Sequence, residues 1–94
     1  MNSKHILRRE YRFYGRVQAV GFRYVAMNAA RSFGATGWVR NEFDGSVTME
    51  IQGAEEQIDR VVQTLHSERY IRIDAQECRE IAVVPNEQGF RVRY

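Results

Sequence analysis

The feature that most constrains the fold is a change of hydrophobic period in the first third of the chain. Along residues 11–17 apolar and polar side chains alternate, which is typical of a half-buried strand. From Phe22 to Phe33 the apolar residues recur every three or four positions, as on one face of an amphipathic helix, and Gly34 is suited to end that helix. The chain is therefore predicted to pass from a strand into a helix through one short loop.

The middle of the chain repeats strands followed by a helix. Two strand-like runs, residues 36–42 and 47–52, flank Asp44-Gly45, a pair typical of a hairpin turn. The apolar side chains of residues 58–65 then return to helical spacing. We predict a hairpin followed by a second amphipathic helix.

Two further strand-like segments complete the chain. They are residues 76–84, which end at Pro85, and residues 90–94. The predicted order is strand, helix, strand, strand, helix, strand and a short terminal strand. This order favours the ferredoxin-like, or split βαβ, sandwich of the α+β class, with two helices on one face of a mainly antiparallel sheet of four or five strands.

The length of the chain fits one such unit. Ninety-four residues, 44% of them hydrophobic, can close one core but not two. We predict a single domain over residues 1–94, in which residues 1–7 are flexible. The start lacks a secretory signal, and no apolar run approaches the roughly 20 residues that span a bilayer, so a soluble protein with no membrane partner is expected.

The single cysteine, Cys78, limits the covalent and metal chemistry. It has no partner for an intrachain disulfide, and the cysteine and histidine residues lack the spacing of a metal site. A cytoplasmic protein with no metal and no cofactor is the prediction. Cys78 has apolar neighbours in a predicted strand, so we expect it, like Trp38, in the core.

The charge of the chain is unevenly distributed. Residues 1–40 contain eight basic residues against Glu10 alone, whereas residues 41–94 contain six basic and eleven acidic residues. A basic surplus of this kind is typical of a protein that binds a phosphate-like group or a nucleic-acid backbone. It is equally typical of a solvated basic face.

The loop between the first strand and the first helix is the segment most suited to chemistry. It reads Gly15-Arg16-Val17-Gln18-Ala19-Val20-Gly21-Phe22-Arg23. A tight loop that leads into a helix directs several backbone NH groups at one point, which attracts anions. Glycines ease the unusual dihedral angles of such a loop, and the guanidinium of Arg23 can reach the same anion. This spacing alone is also compatible with a plain structural loop.

The full segment closely resembles the signature of the acylphosphatase family, enzymes that hydrolyse the carboxyl-phosphate bond of acyl phosphates. Two later segments are similar to further parts of the family pattern, namely Gly37-Trp38-Val39-Arg40-Asn41 followed by Asp44-Gly45-Ser46-Val47, and the ending Phe90-Arg91-Val92-Arg93-Tyr94. The resemblance covers the chain from about Tyr11 to Tyr94 in the family's order, and the family's fold is ferredoxin-like.

The resemblance implies a role for each site residue. Arg23 would bind the phosphoryl oxygens and Asn41 would orient the attacking water. Backbone NH groups of the loop would bind the substrate, and that loop consists of Arg16, Val17, Gln18, Ala19, Val20, Gly21 and Phe22. The expected partner is a small-molecule acyl phosphate, with phosphate or sulfate as a product-like ligand. We expect a monomer that needs no metal and binds no nucleic acid.

Ala19 departs from the family pattern, which usually has glycine at this position. If the position requires a positive φ, alanine costs roughly 1 kcal/mol or more and weakens phosphate binding by tilting the neighbouring NH groups. If φ is negative, the methyl group is harmless. The sequence leaves both possibilities open.

The alternative function is a catalytically weak anion-binding or RNA-binding module of the same fold. Residues 20–25 partly mimic the aromatic motif of RNA-recognition domains. In those domains the motif lies on the third strand and its aromatics stack on bases, whereas here it opens a helix. Anion binding without turnover is supported by Ala19 alone.

Overall fold

A computed structural model describes residues 5–94, which form a five-stranded sheet with two helices packed on one face. The elements in chain order are β1 (Ile6–Arg16), α1 (Phe22–Phe33), β2 (Thr36–Asn41), β3 (Val47–Ala54), α2 (Glu55–Ser67), β4 (Arg72–Ile81) and β5 (Phe90–Arg93). The strands lie in the order β4-β1-β3-β2-β5, and every pair is antiparallel except β2 with β5. The predicted ferredoxin-like architecture is confirmed.

The core lies between the helices and the face of the sheet that they cover. Phe13 on β1 and Met49 on β3 are fully buried, and so are Ile58 and Leu65 on α2. Phe22 at the start of α1 packs against Phe13, with the ring centroids 5.1 Å apart. Each such side chain contributes about 1.5–3 kcal/mol on burial, so this layer fixes the start of α1 against β1.

The passage from β1 into α1 depends on two glycines. Gly15 has a φ of 128°, at a break in register between β1 and β4, and a Cβ there would lie 2.3 Å from the carbonyl oxygen of Arg72. Gly21 has a φ of 81° and directly precedes α1. A side chain at Gly15 would clash and one at Gly21 would strain the backbone, so glycine gives the loop its shape.

The other face of the sheet, which we call the open face, is partly covered by the loop between β4 and β5 (residues 82–89). Arg8 on β1 is buried on this face and forms ion pairs with Glu50 and with Glu87 of the loop. The side chain of Gln52 bonds both the backbone NH and the carbonyl of Val84. These contacts hold the loop against the sheet.

The strand boundaries differ from prediction at two places. β1 begins at Ile6, five residues before the predicted start, and the predicted flexible segment 1–7 lies mostly outside the described residues. β4 covers residues 72–81 rather than 76–84, because the backbone of Val84 bonds to a side chain instead of a neighbouring strand.

The expectation that Cys78 belongs to the core is wrong. Cys78 is exposed, because β4 is an edge strand that the helices leave largely uncovered. Trp38 is buried, as expected, yet it lies on the open face beneath the guanidinium groups of Arg40 and Arg93.

Neither α1 nor α2 has the length and apolar character that crossing a bilayer requires.

Candidate active site

A small cavity of about 130 Å³ lies where the β1–α1 loop meets the end of β2. Arg23, in the first turn of α1, and Asn41, the last residue of β2, both line it. The other lining residues are Val17, Ala19, Gly21, Phe22 and Tyr24. The fold thus brings the two predicted catalytic side chains to one cavity, whose size suits a compact group such as a phosphoryl group.

The guanidinium of Arg23 is available for a ligand. Among residues 5–94 no carboxylate pairs with it, and its Cζ lies 4.9 Å from the centroid of the Tyr94 ring. The ring holds the guanidinium by a cation–π contact but accepts none of its hydrogen bonds in the plane. Arg23 therefore keeps its set of NH donors for an anion in the cavity.

The side-chain oxygen of Asn41 is an unpaired acceptor. Within the described part of the chain, Asn41 Oδ1 is buried and has no hydrogen-bond partner. A buried polar atom without a partner costs about 1–3 kcal/mol, so its retention needs an explanation. A water or a ligand hydroxyl that donates to Oδ1 within the cavity supplies one.

Backbone NH groups at the start of α1 add to the positive potential of the cavity. Gly21 precedes the helix in the left-handed conformation and offers no side chain to cap the first turn. That turn also contains no acidic residue, whereas α2 begins with Glu55 and Glu56. The NH groups at the N-terminus of α1 are therefore left to bind an external anion.

Ala19 adopts a φ of 60°, so the position does have the positive φ that the first of the two possibilities requires, while the weaker phosphate binding expected with it stays a prediction. An L-residue in the left-handed region costs about 1–2 kcal/mol. The strain lies within the β1–α1 loop, at the cavity that Ala19 lines together with Arg23.

Gln18 connects the loop to the hairpin that carries Asn41, a role that the sequence analysis missed. Its Nε2 donates to the carbonyl oxygens of Glu42, at 2.7 Å, and of Ser46, at 2.9 Å. These carbonyls lie on either side of the β2–β3 turn, directly after Asn41. An amide inside a glycine-bearing loop is a weak sequence signal, because nothing nearby identifies its distant partners.

The remaining predicted loop residues fall into different surroundings. Phe22 is buried in the core, so it can contribute only its backbone to the site. Arg16 and Val20 line a neighbouring open groove of about 500 Å³, together with Ala19 and Tyr70, rather than the small cavity. The predicted set therefore divides between a phosphate-sized cavity and an adjoining groove.

Ionisable groups beside the site belong to the hairpin. Hydrogen bonds from the side chain and backbone of Ser46 lower the pKa of Asp44. A hydrogen bond from Thr48 lowers the pKa of Glu42, and Arg40 adds to the effect. Both carboxylates therefore remain ionised at neutral pH and stabilise the turn.

Among residues 5–94 we find no group of three or more His, Cys, Asp or Glu side chains that could hold a metal ion.

Comparison with known proteins identifies a family with this pattern. The family model described as Acylphosphatase matches residues 9–92. Acylphosphatase of Salinibacter ruber is 39% identical over 83 residues, which are 87% of each chain. The crystal structure of acylphosphatase from Bacillus subtilis superposes with a TM-score of 0.86 at 27% identity, over 94% of this chain and 99% of that one. An acylphosphatase structure from Coxiella burnetii gives a TM-score of 0.84 at 27% identity, over 99% and 100% of the two chains.

Proposed function

The chain belongs to the acylphosphatase family, and from that premise we propose which of its residues hydrolyse the carboxyl-phosphate bond of an acyl phosphate. The observation that carries the proposal is the convergence on one small cavity of the unpaired guanidinium of Arg23 and the unpaired Oδ1 of Asn41. Arg23 binds the phosphoryl group and Asn41 positions the water that attacks it. The backbone NH groups of residues 16–22 bind the remaining phosphoryl oxygens.

Arg23 acts by electrostatic stabilisation. Its planar set of donors matches two oxygens of a phosphoryl group, and a hydrogen bond between charged partners contributes about 1.5–3 kcal/mol. The NH groups at the start of α1 approach the same anion from the backbone. Because these donors are already in place, they stabilise the charge that develops on the phosphoryl oxygens in the transition state.

Asn41 orients the nucleophile without deprotonating it. The neutral amide oxygen accepts one hydrogen bond from the water. This bond orients the water so that a lone pair of the water oxygen points at phosphorus. The oxygen of water bonds to phosphorus, the bond from phosphorus to the acyl oxygen breaks, and the carboxylate leaves with that electron pair. The proton of the water passes to a phosphoryl oxygen. A loose transition state and a good leaving group make a strong base unnecessary.

The proposal extends to the working form of the enzyme. We propose a monomer that acts in the cytoplasm, in which the β1–α1 loop and β2 of one chain form the cavity. We also propose that it needs no metal ion, because the guanidinium of Arg23 and the NH groups at the start of α1 supply positive charge at the phosphoryl position. Sedimentation analysis and an assay with excess chelator test both points, and a dimer or a chelator-sensitive rate would contradict them.

The roles of Arg23 and Asn41 are tested with benzoyl phosphate as substrate. Arg23→Gln should lower kcat/KM by about 10²–10³-fold, the loss typical of one transition-state donor. Asn41→Ala should lower kcat while the inhibition constant of inorganic phosphate changes only about two- to threefold, because the amide contacts the water rather than the phosphoryl group. Arg60→Gln is the matched control on the surface of α2 and should keep full activity.

Three results would contradict the assignment. Activity that survives Arg23→Gln would remove the arginine from the site. Loss of phosphate affinity in Asn41→Ala with an unchanged kcat would make Asn41 a binding residue. Phosphate binding by the unmodified protein without release of phosphate from benzoyl phosphate would favour the anion-binding module, which the family relationship disfavours.

A further inference from the structure

A second cavity, of about 440 Å³, lies on the open face of the sheet at its β2–β5 edge. Trp38 of β2, Arg91 and Arg93 of β5 and the loop of residues 82–89 form its walls. It shares no lining residue with the cavity that contains Arg23 and Asn41. Nothing in the proposed hydrolysis requires it.

The residues that line the cavity carry more positive than negative charge, with Arg91 and Arg93 against Glu87. Arg91 and Arg93 are alternate residues of β5 and point to the open face, since Phe90 between β5 and the helices is buried. Among residues 5–94, neither arginine forms an ion pair with a carboxylate, whereas Arg8, Arg9 and others on the sheet do. Two guanidinium groups are thus left facing the cavity.

The acid that lines the cavity, Glu87, is already occupied. Its Oε1 accepts hydrogen bonds from Arg8 and Thr36, each at 2.7 Å, and its Oε2 accepts one from Arg8 at 3.2 Å. Although burial acts to raise the pKa of Glu87, the bonds from Arg8 and Thr36 and the charge of Arg93 lower it on balance. Arg8 is shared between Glu50 and Glu87, so Glu87 offsets part of the charge of Arg93, and Arg91 is left without an ion-pair partner among the described residues.

The loop that walls the cavity is held in place before any ligand arrives. Gln52 bonds the backbone of Val84 at 2.9 and 3.0 Å, and the NH of Gly37 bonds the carbonyl of Gly89 at 3.1 Å. Glu87 fixes the middle of the same loop. A ligand therefore pays little to order the backbone of this wall.

We propose that this cavity binds an oligophosphate group. The Cα atoms of the two arginines lie about 6.6–6.8 Å apart along one strand, so their guanidinium groups can bind different oxygens of an extended polyanion, which offers more oxygens than one phosphate ion. Guanidinium groups bind phosphate oxygens in pairs, and the amides of Asn86 and Gln88 on the rim add neutral donors. A nucleoside triphosphate and free oligophosphate share this chemistry.

The test measures binding away from the active site. Calorimetric titrations with tripolyphosphate, ATP and inorganic phosphate use Arg23→Gln protein, in which the active site is weakened. The emission of Trp38, the single tryptophan of the chain, gives a second readout for tripolyphosphate, because the guanidinium of Arg93 lies 4.6 Å from the centroid of its ring. Tripolyphosphate should bind with one site and change this emission.

The matched variants remove equal charge. Arg91→Gln with Arg93→Gln should weaken tripolyphosphate binding about tenfold or more, the loss expected for two charge-assisted contacts. Arg60→Gln with Arg69→Gln, two cations outside the cavity, should change it less than about twofold. Circular dichroism verifies that each variant is folded.

Each outcome decides the proposal. Equal weakening in the two double variants, no binding, or inorganic phosphate binding as tightly as tripolyphosphate would overturn it. ATP binding as tightly as tripolyphosphate supports recognition of the phosphates alone, tighter ATP binding supports a nucleotide ligand, and weaker ATP binding supports a free oligophosphate. Hydrolysis of benzoyl phosphate by the Arg91→Gln/Arg93→Gln protein, with Arg23 intact, reports separately on the active site.

Discussion

Ala19 concentrates backbone strain in the β1–α1 loop, to which the proposal assigns binding of the phosphoryl group. Its φ of 60° places Cβ close to the following carbonyl oxygen, a contact that glycine avoids. The loop nevertheless keeps its cavity, with Arg23 and Asn41 on either side. The surrounding contacts, among them the bonds of Gln18 to the hairpin, outweigh the local cost.

Ala19→Gly should therefore stabilise the protein. Release of about 1–2 kcal/mol of strain is partly offset by the greater freedom of glycine in the unfolded chain, which leaves a gain of about 0.5–1 kcal/mol. Urea unfolding measures this gain. The inhibition constant of phosphate should change less than about twofold, in contrast to the weaker phosphate binding expected from the sequence, because the loop with alanine already has the positive φ and keeps its cavity. A stability loss would show that the Ala19 methyl group makes contacts worth more than the strain.

Single residues show where prediction from the sequence stops. Arg23 and Asn41 lie in the segments that resemble the family pattern, so their roles could be predicted from the sequence before the structure was known. The unpaired Oδ1 of Asn41 could not, because pairing depends on neighbours that only the fold supplies. Cys78 was misplaced for a similar reason, since a strand's composition does not reveal that it lies at the edge of the sheet.

At the scale of elements, the active site is a contact between the β1–α1 loop and the β2–β3 hairpin. The hydrophobic periods predicted both elements and their order, because burial of one face dictates those periods. They did not predict that the side chain of Gln18 would join them. Hydrogen bonds from a side chain to carbonyls far along the chain do not change the hydrophobic period, so they cannot be predicted from it.

Gln18→Ala should lower kcat about tenfold with little change in KM. The variant loses both bonds that hold the Asn41 hairpin against the loop, so the water is less well oriented while Arg23 still binds substrate. The free energy of unfolding should fall by about 1–3 kcal/mol, because two hydrogen bonds are lost, while the carbonyls of Glu42 and Ser46 each keep a backbone NH donor. Gln63→Ala, on the surface of α2, is the control. If Gln18→Ala instead raised KM about tenfold and left kcat unchanged, Gln18 would be a substrate-binding residue.

The bulge at Gly15 is tested against a second glycine of positive φ. Gly15 has a φ of 128° and its added Cβ would meet backbone at 2.3 Å, whereas Gly45 has a φ of 91° and open space around it. Gly45→Ala should cost about 1 kcal/mol of stability from backbone strain alone. Gly15→Ala should cost more than about 3 kcal/mol, because β1 and β4 must also separate. Equal thermal shifts would mean that β4 moves aside without penalty.

For the whole molecule, the uneven charge of the sequence is largely resolved within the fold. Among residues 5–94, four basic residues before position 41 form ion pairs with acids from the later part of the chain, namely Arg8, Arg9, Arg12 and Arg40. The surplus is equally typical of a ligand site and of a solvated face, and the ion pairs of Arg8, Arg9 and Arg12 instead join β1 to distant parts of the chain. The cationic side chains without an ion pair among residues 5–94, such as Arg23, keep their NH donors available to bind an anion.

The ion pair between Arg8 and Glu87 makes the stability of the whole molecule depend on pH. On balance the folded state lowers the pKa of Glu87 from its ordinary value of 4.5, even though burial alone would raise it. A lowered folded pKa contributes stability above the unfolded pKa, and that contribution is lost as the pH falls through the folded value. Unfolding free energy should therefore decrease as the pH is lowered below about 5.

Glu87→Gln should remove part of this dependence. At pH 7 the variant should lose about 1.5–3 kcal/mol, since Arg8 loses its charge-assisted hydrogen bonds to Glu87 but keeps its ion pair with Glu50, and below the folded pKa the two proteins should converge. Urea unfolding between pH 3 and pH 7 measures both curves, with Glu80→Gln on the exposed edge strand as the control. Parallel curves for wild type and Glu87→Gln would show that Glu87 does not cause the acid sensitivity. A stability loss confined to low pH would reverse the sign of the linkage and place the protonated carboxyl, rather than the ion pair, in the native structure.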